Sequence, residues 1–388
     1  LDPGFYRVLD FAKYVANFRA EDGAGRALAC EKVTKNSWRV ATESAPTIVV
    51  DYDVDASVAF VARNYIDDTR AFIAPAGLFL HVAGRLGQPV TVTFQLPAAW
   101  KQISAGLDAV AGAPNTFFAP DFDSLYDSPF LLGNQETLRF EAQGWPHTVA
   151  MENVPASVSR EKMTSDLRRM VEAATRLMSD VPYQHHTFLL MGKGNGGIEH
   201  GNSAAVSFNG DSLTMESAYA RWLSYVAHEY FHNFNVKRIR PLALGPFDYD
   251  QENLTDMLWV SEGLSVYYED LVLVRAGLLT SDQYLGLMAG AIAKFENAPG
   301  HRYQPAAEAS LDTWGTAGTR VDRNTSISYY DNGAILGALW DLKIRHQSHD
   351  RKSLDDVMRG LYREYYQRQK RGFADAEFRG SCENAAGG

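Results

Sequence analysis

His228-Glu229-Tyr230-Phe231-His232 lies inside a longer run, Tyr219 to Phe234, whose apolar residues recur with a helical period. Tyr219, Trp222, Leu223, Val226, Ala227, Tyr230, Phe231 and Phe234 form one stripe. At about 100° per residue, His228 and His232 fall roughly opposite its centre. Two histidines four apart on a helix stand one turn apart on one face, so both imidazoles can reach a single ion. Glu229 projects beside that face, where it can take a proton from an attacking water. The run predicts a helix that packs on the core with one side and lines a cleft with the other. Alone, it is also compatible with two histidines on a solvated helical face.

The His-Glu-x-x-His pattern is that of zinc peptidases, and a catalytic zinc needs a third protein ligand plus an open position. Leu258-Trp259-Val260-Ser261-Glu262-Gly263 supplies a candidate. Glu262 interrupts an apolar stretch and starts a helix, Leu264 to Ala276, that Gly277 ends. A carboxylate between Trp259 and Leu264 is costly unless it is paired or coordinated. Glu252 is nearer the histidines in sequence, but Asp250, Gln251 and Asn253 around it read as a solvated loop. The predicted set is therefore zinc on His228, His232 and Glu262, with Glu229 as general base. Asp256, shortly before Glu262, is a candidate to orient a ligand histidine from behind.

Working outward, the 388 residues suit two domains. Residues 1–148 read as β-rich. Thr47–Val54 and Val90–Leu96 alternate, and Ala71–Val82, broken at Pro75 and Gly77, reads as two short strands or a bulged one. Near residue 150 the period changes. Met163, Leu167, Met170, Val171, Ala174, Leu177 and Met178 predict a helix stopped by Pro182. Strands at 187–191 and 204–208 flank a glycine-rich loop, Gly192–Gly197, with helices predicted near 216–236, 259–276, 282–295, 329–346 and 353–368. The expected class is α+β: an N-terminal sandwich-like β domain, then a second domain, 149–388, with a mainly helical C-terminal part.

A formal net charge of −10 argues against nucleic acid and anionic membrane surfaces as partners. No apolar run approaches the roughly 18 residues that a membrane span requires. Two cysteines, Cys30 and Cys382, exclude a disulfide framework and a cysteine-rich metal site. Compartment and oligomeric state are not readable. His185, His186, His301, His346 and His349 lack ligand spacing and read as structural or surface residues.

Several runs resemble the PDZ-containing glycyl aminopeptidase family of gluzincins. Pro3-Gly4-Phe5-Tyr6 and Asp10-Phe11-Ala12-Lys13 resemble a stretch of that family's β domain. His228–His232 with Asn235-Val236-Lys237-Arg238-Ile239-Arg240-Pro241 is similar to its active-site helix, and Leu258–Tyr268 to its third-ligand helix. Phe373–Phe378 resembles a segment near the end of its peptidase region. The chain is more distantly similar to the aminopeptidase N group, whose Trp-Leu-Asn-Glu-Gly resembles Trp259–Gly263. That resemblance implies a thermolysin-like zinc peptidase domain, an aminopeptidase activity and a peptide substrate with a free N-terminus. It also implies strands before Leu1 and a PDZ domain after Gly388.

Gly196-Gly197-Ile198-Glu199-His200 sits where the aminopeptidase N group has Gly-Ala-Met-Glu-Asn. The resemblance implies that Glu199 binds the substrate α-ammonium and that Gly196 and Gly197 let its backbone pair closely, with His200 in the same substrate-binding set. Tyr330 falls where the wider group has the tyrosine that donates to the oxyanion, and its neighbour Tyr329 is an alternative donor. Departures include Asn233-Phe234, where a tryptophan is usual at the second position, and Asn332 in place of a lysine. The expected function is a zinc aminopeptidase preferring a small first residue such as Gly or Ala. The rivals are an endopeptidase with the same site and a silent peptide-binding scaffold.

Overall fold

The computed structural model describes residues 1–192, 196–315, 322 and 324–387. The first part is β-rich. A four-stranded antiparallel sheet runs in the order Tyr65–Ile66, Ala71–Ile73, Phe130–Gly133, Gln102–Ala105. A three-stranded one runs Asp108–Ala109, Thr116–Ala119, Val90–Thr93. Residues of both, among them Ile73, Val92, Phe117 and Phe130, meet in one apolar core, which is the sandwich-like arrangement. A further antiparallel sheet, Ala27–Leu28, Val15–Asp22, Ile48–Val54, lies beside them. In the stretch read as two short strands or a bulged one, a single short strand forms. After Ala71–Ile73 the chain enters a 3₁₀ turn at Pro75–Gly77, where proline cannot donate to a ladder.

The second sheet runs in the order Glu136–Ala142, Trp145–Met151, His186–Met191, Ser203–Ser207, Gly197–Glu199. Its middle three strands are parallel and its two outer pairings antiparallel. Strand alternation divides the residues between two faces. Val149, Phe188, Leu190, Ala204 and Val206 enter the main core under the helices. Ala150, Leu189, Ile198 and Ala205 pack against Leu9, Val61, Phe72 and Leu131 of the β-rich part. The hairpin Glu136–Met151 thus precedes the expected boundary at 148 for most of its length, yet it is hydrogen-bonded into this sheet.

The long helix read from Met163 to Met178 is Arg160–Met178. Ser159 caps it by accepting from the Lys162 amide, a contribution of about 1 kcal/mol. The remaining helices include Glu216–Phe231, Leu264–Arg275, Ser281–Asn297, Tyr329–Ser348 and Leu354–Leu361. Two are joined to π-helical turns, Trp259–Gly263 before Leu264 and Tyr362–Arg368 after Leu361. No described helix is long and apolar enough to cross a membrane.

Candidate active site

The helix Glu216–Phe231 carries His228 and Glu229, and His232 follows as its C-terminal cap, still in helical conformation. The apolar stripe is buried as its period requires, but so are His228, Glu229 and His232. This helix is enclosed on both sides rather than half-solvated. The two Nε2 atoms are 3.0 Å apart. Glu262 Oε2 lies 3.4 Å from His228 Nε2 and 3.2 Å from His232 Nε2, so three buried donors converge on one point.

Each imidazole is fixed from behind. His228 Nδ1 donates to Glu269 Oε2 at 2.9 Å, and His232 Nδ1 donates to the Asn235 carbonyl at 2.6 Å. A carboxylate and a carbonyl as acceptors favour a proton on Nδ1, which leaves Nε2 as the atom turned to a ligand. The Asn235 amide nitrogen also donates to the carbonyls of Val260 and Ser261, at 2.9 and 2.8 Å. It therefore ties the segment after the histidines to the turn that bears Glu262. That turn is π-helical, a local bulge that recurs at functional sites. Asp256, the expected orienting carboxylate, is exposed in the loop before this turn. Glu269 takes that part, two helical turns beyond Glu262 on the same face.

Charge fits a cation. Glu199, Glu229 and Glu262 are buried and Glu269 half-buried around two imidazoles, and a buried carboxylate needs a partner or a metal. Burial pushes Glu229 up to about 8 and raises Glu199, in each case against neighbouring positive charge. Burial acts upward on Glu262 as well, but His232 and His228 outweigh it and hold Glu262 below the usual carboxylate range. Two imidazoles and a carboxylate converging on one point are a donor set that zinc accepts, its binding displacing the protons that the carboxylates otherwise favour on the imidazoles.

Glu199 is the last residue of the edge strand Gly197–Glu199, paired with Ser203–Ser207 in the register Glu199↔Ala204. Its carboxylate groups with Glu229 and His232, and its Oε1 has no hydrogen-bond partner among the described residues. Among the described residues no strand pairs with the other edge of this strand. Gly197 lies against the general-base candidate: a Cβ there would collide with the Glu229 carboxylate and come 2.8 Å from the Tyr225 hydroxyl. Gly196, at φ +93°, occupies the region glycine tolerates. Residues 193–195 of the loop are outside the described residues. His200 is buried and turned to Asp127, with Nδ1 3.2 Å from Oδ1. Asp127 also accepts from Lys237 Nζ at 2.7 Å. Burial works upward on Asp127, but Lys237 and His200 prevail and bring it to about 2.

Tyr330 begins the helix Tyr329–Ser348, its ring centroid 6.2 Å from that of His228 at 30°. Gly263 and Gly333 permit this approach. A Cβ on Gly333 would collide with the Trp259 carbonyl and lie 2.8 Å from Gly263 Cα. Tyr329 lies beside Tyr330, ring centroids 4.7 Å apart, packs with Tyr6, Val236 and Trp314, and is hydrogen-bonded through its hydroxyl to that of Tyr330. Tyr6 reaches the centre from the other end of the chain, donating to Glu262 Oε1 at 2.6 Å. Sequence reasoning assigned no role to Tyr6 or Glu269. The spacing of seven from Glu262 to Glu269 is the one available signal for the latter.

A β-rich domain leading into a sheet, a His-Glu-x-x-His helix and a third-ligand helix define a thermolysin-like metallopeptidase fold. The M61 glycyl aminopeptidase profile matches residues 221–336, and the peptidase M61 N-terminal domain profile matches residues 1–134. Together they take in well over half of the chain, which belongs to the M61 glycyl aminopeptidase family. An aminopeptidase N family protein from Idiomarina loihiensis superposes with a TM-score of 0.91 at 30% identity, over 97% of this chain and 66% of that one. Yeast LTA4 hydrolase (TM-score 0.60, 11% identity, 96% of this chain, 58% of that one) shares the fold. So does an M1 zinc metallopeptidase from Deinococcus radiodurans (0.58, 13%, 96% and 80%). The chain therefore spans about two thirds of the first of these proteins and less of the second. Comparison with curated protein sequences gives no match.

Proposed function

We propose that this chain is a zinc-dependent aminopeptidase that removes a small first residue, Gly or Ala, from peptides with a free N-terminus. The observation that carries the reading is the placement of Glu199: a buried carboxylate oxygen without a partner among the described residues, beside Glu229 and the proposed metal ligands, at the end of an edge strand. Such a group selects a cationic N-terminus and fixes where the substrate begins. The family supports the small first residue.

His228, His232 and Glu262 would hold the zinc, which when bound supplies Lewis acidity for water activation and carbonyl polarisation. Glu229 takes the proton of the attacking water and returns it to the leaving amine. The Tyr330 hydroxyl donates to the developing oxyanion, with the Tyr329 hydroxyl hydrogen-bonded to it as the alternative donor. The open edge of Gly197–Glu199 receives the substrate backbone as an added strand. His200 acts indirectly, by orienting Asp127 and Lys237.

Glu229→Gln tests the assignment. It should retain zinc and lose turnover by roughly 10²–10⁴-fold, the usual worth of a general acid–base group. A zinc-loaded variant with undiminished turnover would remove Glu229 from the reaction.

A further inference from the structure

We infer that Tyr6 is a positioning residue of the metal centre, holding Glu262 so that only one carboxylate oxygen faces the histidines. The inference rests on the proposed zinc site and goes beyond its three ligands. The two oxygens of Glu262 have different partners. Oε2 faces the Nε2 atoms of His232 and His228, at 3.2 and 3.4 Å, while Oε1 accepts from the Tyr6 hydroxyl at 2.6 Å. An O–H···O⁻ bond of this length is the short, charge-assisted kind. The carboxylate cannot bring both oxygens round to the histidine side without breaking it.

Tyr6 is itself held in place, so the restraint is built in before any substrate arrives. It is buried, and its ring meets Trp314 edge-on at 5.7 Å. The segment before it is fastened along its length. Leu1 is buried with Val236 and Leu244, and Lys237 Nζ donates to the Pro3 carbonyl at 3.0 Å. A Cβ on Gly4 would lie 3.4 Å from Glu199 Oε1 and too near Ile198, so this backbone runs directly against the edge strand. The β-rich part therefore contributes a working group to the centre.

A catalytic zinc works with three protein ligands and one position left for water. Single-oxygen presentation of Glu262 keeps that position open. Without the Tyr6 hydroxyl, Oε1 is a buried acceptor with no donor, and turning toward the cation is its remaining compensation. Both oxygens would then occupy ligand positions, and zinc would stay bound while turnover fell.

The test compares wild type and Tyr6→Phe as cobalt(II) proteins, by visible absorption, together with zinc content and steady-state kinetics. A carboxylate that supplies a second oxygen raises the coordination number and weakens the visible bands. The expected result is a weakened cobalt spectrum, retained zinc, and kcat lower by roughly 10–100-fold with KM little changed. If removal of the hydroxyl prevents folding, 4-fluorophenylalanine at position 6 fills the same space without donating, and the same spectrum is expected. 4-Aminophenylalanine, which keeps an N–H donor there, should restore the wild-type bands. A folded variant without the donor but with wild-type spectrum and kcat overturns the inference. Wild-type protein that takes up neither zinc nor cobalt overturns instead the zinc reading beneath it.

Discussion

Glu269 Oε2 accepts the His228 Nδ1 proton at 2.9 Å, across two packed helices that the Ser224 hydroxyl also joins by donating to Asp270. The bond sets the tautomer of a metal ligand and raises its basicity. Glu269→Ala should weaken zinc binding roughly 10–100-fold, the cost typical of losing such a partner. Chelator competition measures this directly, and the same variant should keep the wild-type far-ultraviolet circular dichroism.

Gly197 is where the edge strand touches the general-base candidate. A methyl group at Gly197 has no space beside the Glu229 carboxylate and the Tyr225 hydroxyl. Gly197→Ala should therefore shift the strand or the carboxylate, and a displacement near 1 Å costs roughly 100-fold in rate. Zinc content should be unaffected, since none of the three ligands lies on this strand. Steady-state kinetics beside metal analysis separates the two effects.

The crossing of Gly263 and Gly333 sets the distance between the turn bearing Glu262 and the helix bearing Tyr330. Gly333→Ala inserts a methyl against the Trp259 carbonyl. Overpacking of this kind costs about 1–3 kcal/mol. A lower melting temperature is expected together with reduced kcat, because the same shift moves Tyr330 away from His228. Thermal unfolding and kinetics on one preparation check both.

His147 gives the fold a dependence on acid that is separate from the site. It is buried against Phe140, Tyr183 and His186, its Nδ1 donates to the Trp145 carbonyl and its Nε2 accepts from the Tyr183 hydroxyl, and burial brings its imidazole down to about 4. The unfolded chain takes up this proton near pH 6.5, whereas the folded chain resists until about pH 4. The stability lost is therefore absent above that range and accrues as pH falls through it, to about 3 kcal/mol. His186, also lowered by burial, adds in the same direction. Melting temperature measured from pH 7.5 downward should fall most steeply below pH 6.5, and His147→Gln should flatten the curve.

How much was legible in the sequence depends on how local each signal is. The helix with His228, Glu229 and His232 was readable because period and spacing lie within one segment, and the carboxylate of Glu262 stood out against Trp259 and Leu264. Glu199 and Tyr330 were reachable only through resemblance, since nothing local distinguishes that tyrosine among the 19 in the chain. Tyr6 lies 256 residues from the carboxylate it restrains, a pairing that no periodicity encodes. The pairing of the hairpin Glu136–Met151 into the sheet with His186–Met191 was not legible for a similar reason. The hairpin's alternation shows a strand, but the parallel partner, His186–Met191, follows only after a whole helix.

The most direct test of the account is hydrolysis of glycine p-nitroanilide beside its N-acetylated form by zinc-loaded protein. The account predicts chelator-sensitive release from the free amine and essentially none from the blocked one, because Glu199 is placed to hold an ammonium group. Equal release from both would contradict it, taking Glu199 out of its role and making this centre that of an endopeptidase.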